Sequence, residues 1–98
     1  MLRHTVIFTL HPGTDETTRT NAVERLRALA SVPTVRRIDV RVDAGISDRS
    51  ADMILTADFD DADGWQAYQD HPDHVAFVAE VMAPIMAHRA AVQVEIEP

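Results

Sequence analysis

Chemistry in this sequence is concentrated in Trp65-Gln66-Ala67-Tyr68-Gln69-Asp70-His71-Pro72-Asp73-His74-Val75-Ala76-Phe77, which holds two imidazoles and the chain's only tyrosine and tryptophan. An imidazole that is neutral near pH 7 acts as a general base or accepts a hydrogen bond. A neighbouring phenol can donate one to an oxyanion as charge develops. His74 is the stronger candidate base. Pro72 opens a helix at no cost, because the N–H it lacks has no partner in a first turn. In that turn, unpaired N–H groups and the positive end of the helix dipole disfavour the protonated ring of His74. His71, just before the proline, has a competing structural role as a cap. Tyr68 stands close enough to share a pocket with both histidines, or it anchors a short helix through its ring. His4, alone among Leu2, Val6, Phe8 and Leu10, is either hydrogen-bonded within the core or faces a cavity.

Metal chemistry is not expected. The spacing of His71 and His74 fits two imidazoles on one side of a helix, but one lies before the helix start and no third ligand is spaced to join them. The acidic run Asp58, Asp60, Asp61, Asp63, Gly64 lacks the alternation and the terminal glutamate of a calcium loop, and reads as a solvated turn.

The elements that must position these groups follow from periodicity. Leu2 to Leu10 alternates as a strand and His11-Pro12-Gly13-Thr14 stops it. A helix capped by Thr14 is expected over about Asp15 to Ala30, with Val23, Leu26, Leu29 and Ala30 on its apolar face. Strands are predicted over Val35 to Val42 and Asp52 to Phe59, joined by the loop Gly45 to Ser50. A short helix carrying Trp65 and Tyr68 follows, then a second over His74 to about Met86 that Pro84 kinks or ends. Arg89 to Glu97 closes the chain as a strand. The order strand, helix, strand, strand, helix, strand predicts an α+β, ferredoxin-like antiparallel sheet with its helices on one face. Its other face would carry Ile7, Ile54, Thr5, Thr56 and Gln93. That face is too apolar for water and too polar for a monomer core, so a homodimer with sheets packed face to face is expected.

Composition narrows the function classes. A chain of 98 residues makes one domain, spanning residues 1–98, and it buries too little surface to be stable by a wide margin. Without cysteine it can use neither disulfides nor thiolate metal sites. Nine Lys plus Arg against sixteen Asp plus Glu, a net charge of -7, excludes the basic footprint of a nucleic-acid binder. No apolar run is long enough to span a membrane and no leader is evident, so a cytoplasmic protein without membrane partners is expected.

Arg3-His4-Thr5-Val6-Ile7-Phe8 and the later Tyr68-x-x-His71-Pro72-x-His74-Val75-x-Phe77 together resemble the stress-responsive A/B barrel (Dabb) domain family, over essentially the whole chain. That resemblance implies a ferredoxin-like protomer that forms a dimeric α+β barrel with its twin. Many such proteins have no defined activity and some are linked to stress. A few are polyketide cyclases that close a poly-β-keto thioester by aldol condensation. By resemblance His74 would be the base, Tyr68 its orienter or a donor to the substrate, and His4 a pocket wall. The tyrosine that the cyclase pattern carries in the first helix is replaced here by Arg25. The substrate pocket is expected among Val6, Phe8, Leu26, Leu29, Trp65, His71, Phe77 and Val78, and no cofactor is required. Three functions compete: a cyclase-like enzyme, a non-catalytic dimeric domain that binds a small hydrophobic or polyketide-like molecule, and a cofactor-free monooxygenase on the same architecture.

Overall fold

The computed structural model describes residues 1–98. In chain order it contains β1 (Leu2–Leu10), α1 (Glu16–Arg27), β2 (Arg37–Val42), β3 (Met53–Phe59), α2 (Ala62–Asp70), α3 (Pro72–Phe77) and β4 (Met86–Glu95). A 3-10 turn over Ala28–Ser31 follows α1, and a π-helical turn over Val78–Met82 follows α3. All strand pairs are antiparallel and the sheet order is β2-β3-β1-β4. This is the expected α+β, ferredoxin-like arrangement.

The expected α+β barrel is not formed. Closing a sheet into a barrel requires its two edge strands to pair, whereas the edges here, β2 and β4, are kept apart by β3 and β1. The sheet is open, with two free edges. No helix is long and apolar enough to cross a membrane.

Local chemistry explains several boundaries. Gly13 takes a φ of +87°, the left-handed conformation that the turn after β1 requires and that glycine adopts without strain. Asp15, not Thr14, caps α1, its carboxylate accepting from the Thr18 N–H at 2.7 Å; the Thr14 hydroxyl instead donates back to the His11 carbonyl. The second long helix ends well before Met86. Pro84 has no N–H to continue the helical ladder, and the chain closes its last turn wide, with Ala83 N–H donating to the Val78 carbonyl at 2.8 Å. Strand β4 then begins at Met86 rather than Arg89, and an irregularity at Thr9/Leu10 in β1 accommodates the extra residue.

The core lies between the helices and one sheet face, with Val6, Leu26, Val40, Phe59, Tyr68 and Met82 almost wholly enclosed. On the opposite face Ile7 sits across from Ile54, and Thr5 across from Val92. The Arg3 guanidinium grips the Asp58 carboxylate through two bonds of 2.9 and 3.0 Å, tying β1 to β3. Gln93 is not on that face as the sequence pattern implied. It is registered against His4, on the helix side.

Candidate functional site

The break between α2 and α3 builds the centre of the site. His71 takes an extended backbone between them, and its ring Nδ1 accepts from the Asp73 N–H at 3.1 Å. In an unbroken helix that N–H would serve the Gln69 carbonyl four residues back. The carbonyl, released from that duty, accepts from His74 Nδ1 at 3.2 Å. A carbonyl can only accept, so the His74 proton is on Nδ1 and Nε2 keeps its lone pair. The same turn brings the Tyr68 ring to 4.5 Å from the His74 ring, centre to centre. On β1, His4 Nδ1 donates to Gln93 Oε1 at 2.7 Å, and its ring lies 6.4 Å from Tyr68.

These groups wall a cavity of about 180 Å³ on the helix side of the sheet. Strand β1 contributes His4, Val6 and Phe8, α1 contributes Leu26, and the α2–α3 segment contributes Tyr68, His74 and Phe77. Val78 also lines it. Eight of the eleven anticipated site residues therefore converge. Three do not line the cavity. Leu29 is on the 3-10 turn that packs toward β2, the sheet edge remote from β4. Trp65 stands edge-on to His4, 6.0 Å between ring centres, with a buried Nε1 that has no protein partner. His71 spends its ring on the cap. Arg25 also stays outside, 3.9 Å from Glu80 on the surface, so only Leu26 reaches the cavity from α1.

Leu55, Gln69, Met82, Met86 and Arg89 line the cavity without having been singled out from the sequence. The π-helical turn delivers Met82, while the pairing of Phe8 with Arg89 delivers the guanidinium. Antiparallel register was the missing information. Once His4 is opposite Gln93, a step of four residues along each strand puts Arg89 opposite Phe8.

Burial is the main reason that both His4 and His74 resist protonation below the usual imidazole range. Their hydrogen bonds to Gln93 and Gln69 work against it, and the nearby Arg89 charge adds to it. Burial, rather than the helix dipole inferred from sequence, thus dominates at His74. Burial likewise pushes the Tyr68 phenol up to about 12, so it remains a donor. Its hydroxyl is buried and has no partner within the protein.

The linkage has a definite sign. An unfolded chain protonates its histidines near pH 6.5, whereas folded His4 and His74 take protons only at lower pH, so stability falls as pH drops below about 6.5. Urea unfolding between pH 8 and 5 should show this loss, flattened in the His4→Gln/His74→Gln double variant. An unchanged slope in that variant would contradict the burial argument. The Arg3–Asp58 pair acts in a lower window, because Arg3 holds the Asp58 carboxyl below the usual carboxylate range.

Comparison with curated protein sequences gave no match. Among solved structures, a dimeric ferredoxin-like protein of unknown function from Thermobifida fusca is 33% identical, with 97% of this chain and 90% of that one covered and a TM-score of 0.88. A Dabb family protein with a ferredoxin-like fold from Mesorhizobium loti is 25% identical, covering 99% and 97% of the two chains, with a TM-score of 0.82. A hydroxynitrile lyase from Passiflora edulis shares the fold, with a TM-score of 0.85 at 13% identity over 98% of this chain and 93% of that one. The model of the stress-responsive A/B barrel domain, Dabb, matches residues 2–96, and the chain belongs to that family.

Proposed function

We propose that this protein is a homodimeric, non-catalytic binding domain whose helix-side cavity takes one small, largely apolar molecule bearing an oxygen acceptor. The Tyr68 hydroxyl carries the reading. A buried hydroxyl without a partner costs roughly 1–3 kcal/mol, and this one is on the wall of a largely apolar cavity. A ligand oxygen would satisfy it. The volume, about 180 Å³, is comparable to the roughly 150 Å³ that admits one benzene. Dimerisation is supported by the exposed apolar sheet face, with Ile7 42%, Ile54 38% and Val92 54% accessible. The 33% identical Thermobifida fusca protein is described as dimeric.

Tyr68→Phe is expected to act in opposite directions on stability and binding. The ligand-free domain should gain about 1 kcal/mol, because an unpaired buried hydroxyl is removed. Affinity for small ketones and β-diketones should fall about tenfold, read by NMR titration of the His74 ring. If none of these compounds perturbs that ring at millimolar concentration, the binding reading fails.

One observation favours a second reading, cyclase-like enzymology. His74 has its Nε2 lone pair free beside a protonated Tyr68, a base and a donor suited to abstracting a proton alpha to a carbonyl. The same titrations separate the two readings. Compounds recovered unchanged favour binding, and ring closure of a poly-β-keto thioester that His74→Ala abolishes favours catalysis.

A further inference from the structure

We propose that Arg89 is the anion-recognising residue of the helix-side cavity, and that the ligand is a small apolar monocarboxylate. This rests on the cavity being a ligand site and goes further, to the charge of what it holds. Arg89 is the only permanently charged side chain on the cavity wall. The chain has sixteen acidic residues, yet none of them lines that wall.

Of the nine arginines, only Arg89 lines this cavity. Arg3, Arg25, Arg36 and Arg41 pair with carboxylates, and Arg27 donates to the Val40 carbonyl. The Arg89 guanidinium makes no hydrogen bond or ion pair, a state it shares with Arg19, Arg37 and Arg49. It projects from an edge strand opposite Phe8, so its guanidinium borders both apolar surface and solvent. It is close enough for its charge to oppose protonation of His4 and His74. A guanidinium is planar, always charged and geometrically matched to two carboxylate oxygens.

The three recognition elements define an amphipathic ligand. The apolar body would lie against Phe8, Leu26 and Phe77, an oxygen would accept from Tyr68, and the carboxylate would meet Arg89. Two neutral imidazoles present no competing negative charge. The protein's overall charge of -7 gives no general attraction for anions, so selectivity for one must come from this local cation.

Benzoate and its neutral counterpart benzamide test this, titrated at pH 7.5 and low salt into the wild type and into Arg89→Gln and Arg89→Lys. The wild type should bind benzoate at least about tenfold more tightly than benzamide, with the preference shrinking as salt is raised. Arg89→Gln should abolish the preference, with benzoate bound no more tightly than benzamide, and Arg89→Lys should restore part of it. If benzamide binds and benzoate is not preferred, or if Arg89→Gln keeps the preference, the role of Arg89 is overturned and the cavity remains a neutral-ligand site. If neither compound binds, both the anion proposal and the binding reading fall.

Discussion

Phe59→Ala brings the protomer to the edge of unfolding. Phe59 is fully enclosed at the end of β3, its ring 5.1 Å from that of Tyr68. Truncating a phenylalanine in such a position removes its transfer energy and leaves a cavity, a cost of about 3–5 kcal/mol. A domain of this size has only about 5–15 kcal/mol in total. With a shift of roughly 4–8 °C per kcal/mol, the melting temperature should drop by about 12–40 °C. Circular dichroism on heating measures it, and a drop under about 5 °C would contradict the keystone role assigned to this ring. Binding should suffer as well. Tyr68 is backed by Phe59 on one side and faces His74 on the other, so the new void lets the phenol relax away from the cavity.

Placing Asp at both Ile7 and Ile54 should split the dimer. The two side chains form a direct cross-strand pair on the solvent face of the protomer. Neither supports the protomer core, so the circular dichroism spectrum should remain native. In a dimer packed through this face, each copy would bury two unpaired carboxylates, at several kcal/mol per charge. Dissociation should therefore strengthen by about 100-fold or more. Sedimentation velocity at micromolar concentration should show twice the chain mass for the wild type and the single-chain mass for the variant. A wild type that sediments as a single chain would end the dimer reading. The variant should also melt lower and show no concentration dependence, since it lacks burial contributed by a second copy.

Much of the site was legible because it is local. Tyr68, His71, Pro72 and His74 lie within one short stretch, and the proline fixes where one helix stops and the next starts. The position of His71 before the proline offered both a capping role and a place in the pocket, and the structure gives it the cap. His4 was legible as an interruption in a period-two apolar row. Arg89 and Gln93 were not, since their roles depend on register between strands at opposite ends of the chain, which alternation does not specify. Leu29 was misplaced for a related reason. Helical spacing put it on the face of Leu26, but the segment packs against β2 at the far edge of the sheet. The barrel was an inference from resemblance, and no hydrogen-bonding pattern in one sequence distinguishes a sheet with two free edges from a closed one.

The hydrogen-bond exchange at the α2–α3 break is local in a way that the opposite wall of the cavity is not. Its two bonds join residues only two and five apart. Contacts that local form within microseconds, whereas pairings across a whole chain wait for long loops to close. The His4–Gln93 bond spans 89 residues. The cavity therefore joins a wall built from local contacts, Tyr68 and His74, to one built from contacts between remote parts of the sequence. The phenol and imidazole of the cavity are thus held by the nearest contacts in the sequence and its guanidinium by some of the most distant.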